Sequence, residues 1–318
     1  MGTFLAKSTK RSRQPIDKAS SVTEISKPAN ALINLFFWIY SAICIIPFVL
    51  VLVVSFTDEK TVLLNGYSLF PRKLSLSAYN FLLNDWSSIV RSYGISIFVT
   101  IIGTVLSIVI MALFAYPISR RDFKQRGIFS FIMVFTILFN AGLVPFYMMY
   151  TQYLHMQNTL AVLIVPYLVQ GFFVLVMRTF FTNSVPTELI ESGKIDGAGE
   201  WRIFARIVMP LSLPVLASVG LLCTLNYWND WYLSMLFING DTLINIQYRM
   251  YKALQDMQFL SSNSTAYAAI MRQNPNYQLP SETVRMAMAV VGIGPIIFAY
   301  PFFQRFFIEG LTVGAVKG

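Results

Sequence analysis

One stretch of this chain is densely charged. Residues 185–210 carry Glu188, Glu191, Lys194, Asp196, Glu200, Arg202 and Arg206, and long apolar runs flank them on both sides. In so apolar a chain, that many ionised groups belong in water, where they can meet charges on another surface. Local signals order them. Val185-Pro186-Thr187-Glu188 reads as a helix start, because a first turn does not need the N–H that proline lacks. Glu188 and Glu191 then sit toward the positive end of the helix dipole. Asp196-Gly197 reads as the helix end, with glycine free to adopt a left-handed cap. A second short helix is predicted from Glu200 to Ile207, leading back to the apolar run at Pro210. The chemistry open to such a segment is docking, by a short helix that lies at a membrane face and presents carboxylates.

The elements that must position it are membrane spans. The 318 residues are 56% hydrophobic and only 12% charged, whereas a soluble domain is about a quarter charged. A net charge of +9 could suggest nucleic acid. The basic residues instead sit at the ends of apolar runs, the pattern of membrane orientation. Six runs reach the length of about 20 residues that a span needs: 31–56, 92–118, 127–150, 158–181, 210–234 and 285–304. None has a charge in its middle; Arg178, Asp230 and Arg285 lie near ends. With the N-terminus in the cytoplasm, sixteen of the 24 Lys and Arg fall on that side and eight outside. The cytoplasmic side then holds the basic tail 1–30, the connector with Arg120, Arg121, Lys124 and Arg126, the loop 185–210, and the C-terminal tail 305–318. Loops 57–91 and 235–284 face outward. Within the latter, Tyr248–Met257 reads as an amphipathic helix. Prolines 47, 117, 145, 166, 214 and 295 are expected to kink their spans.

The charged stretch also has a specific spacing: Glu191-Ser192-Gly193, three residues, Gly197, nine residues, then Ile207-Val208-Met209-Pro210. This resembles the loop that marks permease subunits of bacterial ABC importers, with Ser192 and Gly193 in place of alanines and Met209 in place of leucine. The end of the chain, Tyr300 to Gly318, is similar to the tail of carbohydrate permeases of the maltose-importer type. The segments Asn226–Trp231 and Gly142–Tyr150 are similar to the oligosaccharide and polysaccharide branch. The resemblance implies an all-α polytopic fold with six transmembrane helices over 31–318 and a cytoplasmic coupling helix. It implies that Glu188, Glu191, Asp196, Gly197, Gly199 and Pro210 couple the chain to an ATPase, Glu191 by pairing with a basic group and Gly197 by allowing a sharp turn. It implies that Gly314, Lys317 and Gly318 reach into the ATPase dimer, and that the loop 235–284 meets a binding protein.

A sugar offers hydroxyls and apolar ring faces, which amides and aromatic rings together can hold. Asn140, Tyr147, Tyr150, Gln170, Asn226, Trp228, Asn229 and Trp231 are the candidates for its path. The partners expected are a second homologous permease, two ATP-binding subunits, an extracytoplasmic solute-binding protein, a sugar and membrane lipid, with no nucleic acid. The expected location is the bacterial cytoplasmic membrane with both termini inside.

No G-x-x-x-x-G-K-[ST], H-E-x-x-H or G-x-S-x-G occurs, so neither a P-loop nor these hydrolytic sites are present. His155 with the distant Cys44 and Cys223, which read as small core residues, makes no zinc site. No enzymatic activity and no cofactor are expected in this chain; ATP and Mg belong to a partner. A permease for a non-sugar solute, an ion-coupled secondary transporter and a membrane scaffold are the alternatives. The second would keep a carboxylate at membrane depth, and the third does not account for the loop spacing.

Overall fold

The computed structural model describes residues 26–273, 282–299, 301, 303 and 304. The expected roles of Gly314, Lys317 and Gly318 lie outside these residues, as does most of the basic tail. Among the described residues there is no strand, only an isolated bridge between Thr57 and Leu74. The chain divides into two units, residues 1–50 and 51–318. Helix α1, Lys27–Ser55, supplies the described part of the first unit and runs on into the second. Its 29 residues span about 44 Å at 1.5 Å each, enough for a membrane.

In the second unit, α2 (Glu59–Asn65) and α3 (Ser77–Leu83) precede α4, Trp86–Ser119, which is 34 residues without a break. Then follow α5 (Arg126–Leu138), α6 (Leu143–Met148), α7 (Gly171–Ser184), α8 (Thr187–Ile195), α9 (Glu200–Ile203) and α10 (Met209–Leu211). The last described helices are α11 (Leu213–Trp228), α12 (Tyr232–Phe237), α13 (Ile246–Ser262), α14 (Ser264–Gln273) and α15 (Glu282–Ile293).

Among the described residues, only α1 and α4 are each long and apolar enough to cross a membrane. Three helix pairs, each a broken span or a re-entrant loop, are bent: Arg126–Leu138 with Leu143–Tyr153 by 114°, Ala161–Tyr167 with Gly171–Ser184 by 51°, and Glu200–Leu211 with Leu213–Trp228 by 79°. The sixth expected run, 285–304, begins in α15 and a 3₁₀ turn, Gly294–Phe298, and passes out of the described residues. The breaks are not where proline alone would put them. Pro47 and Pro117 lie inside α1 and α4 without ending them. The first break instead falls at Gly142, with φ +87°, whose N–H is taken by Asn140 Oδ1 at 2.8 Å. The third falls at Ser212, where Pro214 opens α11. Such breaks survive at membrane depth only where the freed backbone groups find partners.

The core of this unit sits between α4, α5, α7 and α11, around Met111, Ala115, Val174, Met177, Val219 and Cys223. Cys223 is a core residue as expected, whereas Cys44 is exposed. At the crossing of α4 and α11, a Cβ on Gly103 would lie 2.6 Å from Tyr227 Cζ, so the ring rests on bare backbone. The Tyr227 hydroxyl bonds Ile164 O and Ser107 Oγ, each at 3.0 Å. A separate outer cluster joins α3, α13 and α15 through Leu82, Ile246, Met250, Met257, Val284 and Met288. The Glu59 carboxylate accepts from Glu282 N at 3.2 Å and Thr283 N at 3.1 Å, tying the start of α15 to α2. The predicted helix near Tyr248–Met257 is thus present and longer, with its buried stripe running through Ile246, Met250, Met257 and Leu260.

Gly103→Leu should push α4 and α11 apart and destabilise the chain by about 1–3 kcal/mol, read as a lower Tm of the detergent-purified protein. Adding Tyr227→Ser should recover part of that loss. A wild-type Tm for Gly103→Leu would contradict the close crossing.

Candidate functional site

Pro186 caps α8 in extended geometry, with φ −60° and ψ 133°. At the other end, Ala198 N donates to Gly193 O at 2.9 Å and Gly197 N to Lys194 O at 3.0 Å. That bond pair is a Schellman cap. It needs a left-handed residue, and Gly197 supplies it with φ +75°. Gly199 then caps α9, its carbonyl accepting Arg202 N at 2.9 Å and Ile203 N at 3.1 Å. The second helix extends past the expected Ile207. It widens into a π turn over Phe204–Val208 and ends in Met209–Leu211. Widening just ahead of Pro210 suits a residue with no N–H to return to the preceding turn.

The two faces of this loop differ. Ile190, Gly193 and Ile203 are buried and join the main core. Glu188, Glu191 and Asp196 are exposed, and among the described residues their side chains have no hydrogen-bond or ion-pair partner. Beside them stand Ile195 at 86%, Trp201 at 74% and Leu189 at 42% exposure. Glu188 lies in the first turn of α8. Glu191 is a turn further in, so the helix dipole acts mainly on Glu188.

Sequence reasoning missed the charges beneath the loop. Arg120 follows α4 and grips Asp122 with Nε at 2.9 Å and Nη2 at 2.5 Å. Lys194 Nζ lies 3.3 Å from Asp122 Oδ2 and 3.1 Å from Glu200 Oε1. Tyr116 donates to Glu200 Oε2 at 2.7 Å. The hydrogen bond from Arg120 holds the Asp122 carboxyl well below the usual carboxylate range. Partial burial pushes Glu200 up, but bonds from Tyr116 and Lys194 outweigh it and leave Glu200 lowered. Bonds to Glu200 and Asp122 raise Lys194. The contribution of both carboxylates is therefore present above the ordinary carboxylate range, near pH 4, and is lost only as pH falls through their lower folded values. The signal for this cluster was only the scatter of opposite charges at 120, 122, 194 and 200.

Four of the candidate path residues converge. Gln170, Asn226, Asn229 and Trp231 line a cavity of about 390 Å³ together with Tyr167, Asp230 and Tyr232. Asn226 Nδ2 reaches Gln170 Oε1 at 3.3 Å. Trp231 stacks on Tyr251 with centroids 4.2 Å apart. Asp230 is held from within the chain: Oδ1 accepts from Tyr167 OH at 3.1 Å and Leu233 N at 3.3 Å. Trp228 does not join them and is corrected to a core residue. It is 3% exposed, and its indole N–H donates to Gly292 O at 3.2 Å. Trp228 is the last residue of α11 and turns inward, while Asn229 to Trp231 lie in the break before α12 and line the cavity. Tyr147 and Tyr150 pack on Phe237, each with centroids 5.7 Å away, and Asn140 serves the break at Gly142. Those three lie outside this cavity.

Apolar helices, several of them bent, carry a capped, charged loop and an amide-lined cavity. Residues 108–313 match the family described as binding-protein-dependent transport system inner membrane component, and the chain belongs to that family of membrane permeases. It is 33% identical over 287 residues to the polygalacturonan/rhamnogalacturonan transport system permease protein YtcP of Bacillus subtilis, covering 90% of this chain and 97% of that one. It is 28% identical over 292 residues to the arabinooligosaccharides transport system permease protein AraQ of Halalkalibacterium halodurans, covering 90% and 96%. A crystal structure of a bacterial ABC transporter involved in the import of the acidic polysaccharide alginate contains a chain of the same fold. Its TM-score is 0.73 at 26% identity, covering 89% of this chain and 98% of that one. The fold and family expected from the loop spacing hold.

Trp228→Ala should cost about 3–5 kcal/mol, the range for emptying a buried aromatic site. Trp231→Ala should cost only about 1 kcal/mol, mostly its stacking on Tyr251. Thermal unfolding of the two purified variants measures the difference. Equal losses would put Trp231 in the core as well.

Proposed function

We infer that this chain is a permease subunit of an ATP-driven importer, and that with a second, homologous permease it forms a path for an oligosaccharide or polysaccharide. A solute-binding protein outside the membrane delivers the sugar. Two separate ATP-binding subunits hydrolyse ATP with Mg on the cytoplasmic side, where both termini lie. The observation that carries this reading is the outer face of the charged loop. There the unpaired carboxylates of Glu188 and Glu191 stand beside the exposed apolar side chains of Leu189, Ile195 and Trp201. A mixed apolar and acidic face of this kind suits a cleft that holds a basic group.

The sugar-transport roles of the relatives support a sugar as cargo. So does the cavity, with amides to bond hydroxyls and Trp231 to cover a ring face. The outer helices α13 and α14, which fold locally over residues that otherwise form a long connection, offer a surface for the binding protein. Lysines and arginines gathered on the side of the loop support its cytoplasmic placement.

Glu191→Ala should weaken co-purification with the ATP-binding subunits and lower uptake by tenfold or more, the effect of losing a charged interface contact of about 1.4 kcal/mol or above. Thermal stability should stay near wild type, because Glu191 is exposed and makes no hydrogen bond or ion pair among the described residues. Unchanged co-purification and uptake would sink the docking role.

A further inference from the structure

The loop is joined covalently to only two spans, to α7 through residues 185 and 186 and to α11 through α9 and α10. We infer that Arg120, Asp122, Lys194 and Glu200 form a charge clamp that adds a third connection, so that movement of α8 is passed directly to α4. The inference rests on the reading that α8 docks an ATP-binding subunit.

Four charges alternate in sign around a closed ring. The Arg120 fork on Asp122 fixes that carboxylate against the end of α4. Lys194, in the last turn of α8, bridges Asp122 at 3.3 Å and Glu200 at 3.1 Å. Glu200, the first residue of α9, closes the ring with Oε2 at 3.7 Å from Arg120 Nη1, while Tyr116 of α4 donates to the same oxygen at 2.7 Å. The members come from the end of α4, the turn after it, the end of α8 and the start of α9. The ring therefore binds the Schellman turn itself to α4.

Its energetic weight in folding is small. Asp122, Glu200 and Lys194 are 57%, 55% and 41% exposed, and pairs so open to water add little to stability. The loop is already seated by Ile190 and Ile203 in the core. What the ring supplies is registration: a bidentate guanidinium and a bridging ammonium leave α8 little freedom to slide relative to α4. These are positioning residues, and removing one should leave a folded chain that transmits motion poorly.

The test uses spin labels in a chain whose Cys44 and Cys223 are replaced by serine, assembled with its ATP-binding subunits. One label replaces Ser192 on α8, which is exposed and outside the docking face, and the other replaces Val105 on α4, 54% exposed. A further preparation pairs Ser192 with a label on the ATP-binding subunit. On adding ATP, the α8–α4 distance distribution should keep its centre and width in the otherwise native chain and in Lys194→Arg. It should shift or broaden in Lys194→Gln and in Asp122→Asn. The double variant should behave as the singles do, because one shared interaction is lost. The same α8–α4 response to ATP in the native chain and Lys194→Gln overturns the clamp. If the Ser192 label still senses the ATP-binding subunit in that case, docking stands. If it senses no ATP-binding subunit even in the native chain, docking fails and the clamp with it.

Discussion

Tyr227 lies flat against the backbone of α4 because Gly103 has no side chain to hold it away. Helices in lipid gain nothing from hiding apolar surface from water, so they associate through close backbone approach and satisfied polar contacts. This crossing has both, since the Tyr227 hydroxyl bonds Ser107 on α4 and Ile164 on the broken span beside it. Residues 99–118 of α4 run past that point with Thr104, Ser107, Ala112 and Ala115 buried in turn, small groups that let α7 and α11 pack closely. The straight helix thereby becomes the reference against which the bent spans are set.

The bends follow from that arrangement. A span that turns by 51° or more frees carbonyl and amide groups, which lipid cannot bond. Two of the irregular stretches are met by side chains of the chain itself. Asn140 serves Gly142, and Tyr227 serves the 3₁₀ segment at Ile164. The irregular backbone at Tyr167 and Gln170 opens the cavity that holds Asn226, Asn229 and Trp231. Interrupted helices at membrane depth are tolerated where they line such a space, so the cavity and the bends have one cause.

The loop was legible almost residue by residue. Proline at a start, glycine at an end and charges between them are local signals, and local signals are what a single sequence carries. The all-helical, polytopic class was legible for a similar reason, since length and apolarity decide it. The continuation of α1 past Pro47 to Ser55 was not, because whether a proline breaks a helix depends on neighbours distant in sequence. Nor was the division between Trp228 and Trp231. Both belong to one aromatic, amide-rich run, but α11 ends at Trp228, which bonds Gly292, while Trp231 lies past the helix end and lines the cavity. The ring of Arg120, Asp122, Lys194 and Glu200 joins residues up to 80 positions apart, a juxtaposition that no periodicity announces.

The loop holds its inner face by apolar burial and leaves its outer face chemically unfinished, with carboxylates and large apolar groups in water. Such a surface is accounted for by a partner that covers it. Hydrogen–deuterium exchange of the purified permease, measured with and without its ATP-binding subunits, tests this most directly. The account predicts slower exchange across residues 187–203 when those subunits are added, with the outer helices α13 and α14 unchanged. Exchange in 187–203 that is the same in both preparations, although the subunits co-purify, would contradict it.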